Sequence, residues 1–183
     1  MERAKARYTI LGLSDGMFLG LGLSLGVSFL HSYQITFASI IISGISGSLS
    51  NLFSVYNAET FIAMQQLHEY REALFEREYS PKKLTEEKRK KVVSYSEISF
   101  VSTLIGSVIV LLPYSFMFLI GIKNFSYAGL YSLLSAMIVL FFIGFAQKAK
   151  LNTRVKRGIK NAGIGFGVSV IAFIIGYIVS TAV

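Results

Sequence analysis

The chain has no cysteine. That absence excludes disulfides, thiolate metal sites and cysteine nucleophiles together, and it leaves the redox compartment unmarked. Histidine is nearly as scarce: His31 and His68 stand far apart, without the close pairing of a histidine metal site. Glycine and proline are missing from residues 48–80, so nothing interrupts a helix there until Ser80-Pro81. Charge is the most telling absence. Between residues 8 and 58 the only formally charged side chain is Asp15, and between 98 and 147 it is Lys123. After Arg157 only Lys160 remains. No nucleophile–base arrangement is visible, so the residues do not suggest an enzyme.

What fills the uncharged runs is apolar. The 183 residues are 53% hydrophobic and 15% charged, with a mean hydropathy of +0.58. About 20 apolar residues in a helix cross the ~30 Å hydrocarbon core. The runs lack the apolar–polar alternation of barrel strands. The sequence therefore predicts an all-α polytopic membrane protein with spans at residues 8–30, 35–58, 98–121, 125–146 and 161–181. It is read as one transmembrane domain, 1–183, with a charged helical cytoplasmic insertion at 59–97 between helices two and three. The Gly-rich first run reads as a span rather than a cleavable leader, being long and without a small-residue cleavage pattern.

The distribution of positive charge predicts the orientation. Arg3, Lys5 and Arg7 precede span one, eight Lys and Arg lie in the insertion, and six more connect spans four and five. Five spans put all of these on one side and Lys123 alone on the other. The positive-inside rule then gives a cytoplasmic N-terminus and an outside C-terminus. Basic residues gathered beside spans read as topology and attraction to anionic lipid, not as a nucleic-acid surface. Residues 48–80 as one helix would measure about 50 Å, longer than the core, so helix two is expected to project as a rod into the cytoplasm. A second charged helix, from 82 to about 95, is expected to return the chain to span three.

Four features carry candidate chemistry. Asp15 is an ionisable group inside a spanning helix, where such groups usually face a partner, a cavity or an ion path. Around it Gly12, Gly16 and Gly20 recur at the spacing that lets helix backbones approach closely. On span two, Ser43, Ser46, Gly47, Ser50, Ser54 and Asn57 fall on about a third of the helix circumference, with Asn51 at the border. The stripe reads either as small-residue packing or, with Asp15 one hairpin away, as a hydrophilic path. In the insertion, Glu69, Glu72 and Glu76 share a helix face, and Glu59 stands at the membrane boundary. Such carboxylates either present oxygens to a divalent cation or form a solvated, ion-paired face. Glu97 at the mouth of span three reads as a ligand or an interfacial anchor. The Gly163–Gly167 run (Gly-Ile-Gly-Phe-Gly) lies in an apolar span with no preceding strand, and reads as helix packing rather than a nucleotide loop.

Four stretches together resemble the vacuolar iron transporter family. They are Leu11-Gly12-Leu13-Ser14-Asp15-Gly16, then Gly44-Ile45-Ser46-Gly47-Ser48-Leu49-Ser50-Asn51 followed by a charged helix. The others are Ile105-Gly106-Ser107 with Leu111-Leu112-Pro113-Tyr114, and residues 144–150 leading to a Gly-rich last span. The resemblance implies a five-helix protomer in a homodimer that exports Fe2+ or Mn2+ as substrate from the cytosol in exchange for protons, with no resident cofactor. It places the family's span-one aspartate on Asp15 and its glutamate-rich metal-binding region on Glu69, Glu72, Glu76 and their neighbours. Where many members carry Ser-Met and then Gly-Glu-Tyr in span two, this chain reads Ser50-Asn51 and Ser54-Val55-Tyr56, with Glu59 the next carboxylate.

Overall fold

The structure is a computed structural model that describes residues 2–74, 81–121, 125–147 and 150–182. In chain order these form α1 (Glu2–Gly26), a single 3-10 turn (Ser28–Leu30), α2 (Tyr33–Leu74), α3 (Pro81–Leu119), α4 (Phe125–Phe145) and α5 (Leu151–Ala182). No strand occurs among the described residues. Five helices are long and apolar enough to cross a membrane, as the uncharged runs predict. His31, in the left-handed conformation at φ 48°, ends the short turn and reverses the chain between α1 and α2.

Two helices greatly exceed a bilayer. At 1.5 Å per residue the 42 residues of α2 extend roughly 63 Å against a ~30 Å core. α2 is therefore long enough to form the expected rod and is described as far as Leu74; Glu76 lies outside the described residues. The return differs from expectation. Instead of a charged helix followed by a separate span, the chain forms one helix of 39 residues from Pro81 to Leu119. Neither glycine nor proline occurs between 82 and 105, so no residue there breaks the ladder. The helix also continues through Pro113.

α1 is the hub, packing on α2, α3, α4 and α5, and most extensively on α3. Its glycines make that contact. A Cβ on Gly12 would collide with the Ser99 carbonyl, one on Gly16 with the Thr103 carbonyl and one on Gly20 with Val110, while Gly106 of α3 faces the Leu13 carbonyl in return. The two backbones thus touch at Gly12, Gly16 and Gly106, and Gly20 packs on the Val110 side chain, as small-residue spacing allows. Below this seam Met17, Leu21, Val110, Ala136, Leu140 and Ile143 form a core shared by α1, α3 and α4. A second cluster of Ile40, Tyr114, Met117 and Ala128 ties in α2. Of the last span's Gly-rich run only Gly165 makes a close approach, to Leu140; Gly163 and Gly167 face open space.

The α4–α5 corner uses charges that sequence reading assigns to topology. Arg154 donates from Nε to the Phe145 carbonyl at 2.7 Å and lies 4.2 Å from that ring's centroid. Arg157 donates to Gln147 Oε1 at 3.1 Å. A cation bonded to the last carbonyls of α4 also complements its dipole.

The seam gives a matched pair of tests. Gly16→Ala forces a methyl into the α3 backbone, and overpacking of this kind costs about 1–3 kcal/mol. Gly22→Ala, with nothing within 4 Å, should leave thermal unfolding in detergent unchanged or slightly improved. Equal melting temperatures for the two variants would contradict the seam.

Candidate ion path and its charged mouth

Because Gly12, Gly16 and Gly20 face α3, Asp15 is turned by one residue toward α2 and the outer surface of the protomer, where it is exposed. Asn51 of α2 meets it. The Asn51 Nδ2 donates to Asp15 Oδ2 at 3.0 Å and to Thr103 Oγ1 at 2.8 Å. Thr103, fully buried on α3, passes its own hydroxyl proton to the Ser99 carbonyl at 2.9 Å. The hydroxyl is thereby fixed as an acceptor toward Asn51. This orients the amide with both N–H groups inward, and its Oδ1 takes no hydrogen bond from any described residue. Three helices thus converge on one carboxylate and one amide oxygen.

The rest of the polar stripe flanks this point. Ser46, Ser50, Ser54 and Asn57 are exposed, and Ser43 and Gly47 are half-buried. At 100° per residue they lie between the line of α2 that touches α1, marked by Gly47 against Leu19, and the exposed apolar strip Ile42, Ile45, Leu49 and Phe53. On α1 the exposed side chains Arg7, Leu11, Asp15 and Leu19 follow every fourth residue. The α1–α2 pair therefore presents an outward face that combines Asp15 with a column of hydroxyls.

Eight residues, or about 12 Å, further along α2 stands Glu59, whose side chain is 14% exposed. Arg7 Nη2 lies 3.0 Å from its Oε1, and the Tyr8 hydroxyl donates to the same oxygen. Arg7 also donates to the Tyr8 hydroxyl at 2.6 Å and lies over the Tyr8 ring at 4.7 Å. On the other side Tyr8 stacks on Tyr95 of α3, with ring centroids 5.5 Å apart. Glu59 is thus neutralised in place by a cation of the same chain.

The remaining candidates are scattered. Glu69 lies a further ten residues along the rod, about 15 Å past Glu59, and is exposed. Glu72 is on the same helix near its end, and Glu76 lies outside the described residues. Glu97 is exposed on α3. Among the described residues no three His, Asp or Glu side chains gather closely enough to hold a metal ion. Of the predicted site residues, the structure brings together Asp15 and Asn51 and does not gather Glu59, Glu69 and Glu97 around a common point among the described residues.

Comparison with known proteins supplies the decisive observation. The model of the VIT family matches residues 57–177, two thirds of the chain. The chain belongs to the VIT family. It is also 26% identical over 172 residues to an uncharacterized protein of Methanocaldococcus jannaschii, a match that covers 92% of this chain and 87% of that protein. Membership of the VIT family implies an integral membrane protein that transports metal ions, and not an enzyme. The family match includes Glu59, Glu69 and Glu97 and begins after Asp15 and Asn51, so the case for those two residues rests on their geometry.

Three participants escape sequence reading. Thr103 is one of many hydroxyls in apolar helices and nothing in its spacing singles it out. Arg7 and Tyr8 look like a topology charge and an interfacial aromatic until α1 lies beside Glu59. In membrane proteins an interhelical hydrogen bond contributes about 0.6–2 kcal/mol, so Asn51→Leu, which removes two, should lower unfolding stability by about 1–3 kcal/mol. Ser54→Ala, exposed one turn away, should stay within about 0.5 kcal/mol of the parent. Equilibrium unfolding in mixed micelles measures both.

Proposed function

We propose that this VIT-family protein exports Fe2+ or Mn2+ from the cytosol in exchange for protons, working as a homodimer through its α1–α2 faces. The observation that carries the reading is the exposure of Asp15 in the middle of a spanning helix. A carboxylate facing hydrocarbon is costly, by roughly 2.5–3.5 kcal/mol even on the mildest scale. A second copy presenting the same face would remove Asp15 from lipid and set two carboxylates, two Asn51 amides and two columns of hydroxyls around one path. Such a donor set is all oxygen, which suits Mn2+ and other hard cations better than a thiolate-seeking metal.

In this reading the N-terminus is cytoplasmic and the C-terminus outside, as the basic flanks require. Glu69 and Glu72 of the projecting α2 rod gather the cation together with Glu76, which follows the rod in sequence, and Glu97 lies near the mouth. The cation passes Glu59 and reaches Asp15 and Asn51, with Ser46, Ser50 and Ser54 lining the route. Asp15 then alternates between metal and proton, which gives exchange. A second reading, a non-transporting protein of the same fold that binds lipid or a partner, is favoured by one observation: Glu59 is already occupied by Arg7 and Tyr8.

Flux in proteoliposomes separates them. Wild-type protein should carry Mn2+ and Fe2+, and Asp15→Asn should abolish that flux while eluting and melting as the parent does. Undiminished flux in the variant would remove Asp15 from the path. The natural lack of cysteine makes the dimer equally testable: Ser50→Cys should give a cross-linked dimer with a short bis-maleimide, and Val179→Cys on the exposed face of α5 should not. The reverse pattern would place the interface on α5.

A further inference from the structure

Thr103 of α3 reaches both halves of the Asp15–Asn51 pair, through different atoms. Its backbone carbonyl lies against Gly16, the residue after Asp15, so closely that no Cβ fits between them. Its hydroxyl accepts a hydrogen bond from Asn51 Nδ2 at 2.8 Å, and its methyl faces Gly47, one turn before Asn51 on α2. The side chain is fully buried, whereas Asp15 is exposed. One residue of α3 thus fixes the α1 backbone beside the carboxylate and holds the α2 amide that bonds it.

Hydrogen-bond accounting decides which way that amide faces. A threonine hydroxyl has one proton, and Thr103 gives it to the Ser99 carbonyl at 2.9 Å, one turn back on its own helix. Toward Asn51 it can only accept. Asp15 Oδ2, 3.0 Å from the same nitrogen, is an acceptor as well. Turning the amide round would press its oxygen against two acceptors. Both N–H groups are therefore committed inward, and Asn51 Oδ1 is left beside the Asp15 carboxylate without a donor from any described residue. Without the hydroxyl, Asp15 still holds one N–H, but the second faces a buried apolar group. A buried donor without an acceptor is unfavourable, so the side chain would rotate to find one.

From these contacts we infer that Thr103 is a positioning residue of the ion path: its hydroxyl holds Asn51 so that the amide oxygen joins the Asp15 carboxylate in facing a hard divalent cation. The inference rests on the reading of Asp15 as a point on the cation's route. It adds a residue that touches neither the cation nor the route and acts through Asn51. A carboxylate oxygen and an amide oxygen are the donors that Mn2+ favours, and a group that orients a metal ligand is worth about 10–100-fold in metal affinity.

Two measurements on the full chain in detergent separate the positioning from the cation site. Side-chain amide hydrogen exchange, read by NMR on protein carrying 15N-asparagine, reports the positioning alone. The Asn51 amide should exchange more slowly than that of Asn57, which is exposed. Thr103→Val keeps the shape and removes the hydroxyl, and should bring Asn51 toward the Asn57 rate; Thr103→Ser should restore slow exchange. An Asn51 amide as fast as Asn57 in the parent, or indifferent to Thr103→Val, would overturn the inference whether or not a metal binds.

Mn2+ titration followed by electron paramagnetic resonance reads the consequence. Thr103→Val should weaken binding about 10–100-fold, and Thr103→Ser should recover it. Ser96→Ala removes another buried α3 hydroxyl, bonded to the Val92 carbonyl of its own helix, and should bind as the parent does. In an Asn51→Leu background Thr103→Val should cost nothing further, because the group it positions is gone. A loss of the same size in that background would make the effect one of helix packing and refute the positioning. No Mn2+ binding by the parent, with the exchange pattern intact, would refute the cation route and leave the hold of Thr103 on Asn51 standing.

Discussion

The backbone contact between α1 and α3 is the constraint on which the other features depend. Three glycines one turn apart bring α1 close enough that any side chain would strike an α3 carbonyl or Val110. Lacking a hydrophobic drive between helices in lipid, such an interface relies on close packing. Its geometric consequence is functional. With the glycines committed to α3, Asp15 can only stand at the edge of the seam, within reach of α2. Thr103, whose carbonyl faces Gly16, is held on the same seam with its hydroxyl turned toward Asn51. The packing motif and the polar cluster are one object.

Much of this architecture is legible from composition because the bilayer restricts the alternatives so severely. With backbone groups unable to bond water in hydrocarbon, an uncharged run of twenty residues has to be helical. The absence of charge between 8 and 58 and between 98 and 147 therefore places helices almost directly. The absence of Gly and Pro after residue 48 likewise predicts a helix that outruns a bilayer, and α2 has that length. The division of α3 into two helices is misjudged for a related reason. The change from charged to apolar composition near residue 96 marks the membrane surface, and a helix crosses that surface without a break when no residue interrupts its hydrogen bonds.

The candidate site is less legible, since it depends on which faces meet. Asp15 stands out in sequence because its helix is otherwise uncharged, and Asn51 because it borders the serine stripe. Their mutual bond is a product of the α1–α2 hairpin. Glu59 shows the limit more sharply. Read in sequence it is a carboxylate at the membrane boundary that either meets a divalent cation or forms an ion pair. In the fold, the cation is Arg7, fifty-two residues away, and no local pattern announces a partner at that separation. Periodicity can put the insertion glutamates on a shared helix face, but it does not say what that face meets.

The two contact types made by α1 differ in what can undo them. Against α3 it is held by backbone packing, which no ion can replace. Against α2 its charged and hydroxyl contacts are Asp15 with Asn51, and Arg7 and Tyr8 with Glu59. Each of these joins a carboxylate to a donor, and both a proton and a divalent cation compete with a donor for a carboxylate. The polar attachment of α2 to α1 is therefore sensitive to the same species that a proton-coupled metal transporter exchanges, while the α1–α3 pair gives those carboxylates a fixed frame. The two contacts lie about two helical turns apart on α1. A cation at Asp15 would compete with Asn51 for that carboxylate and leave the Arg7–Glu59 contact in place.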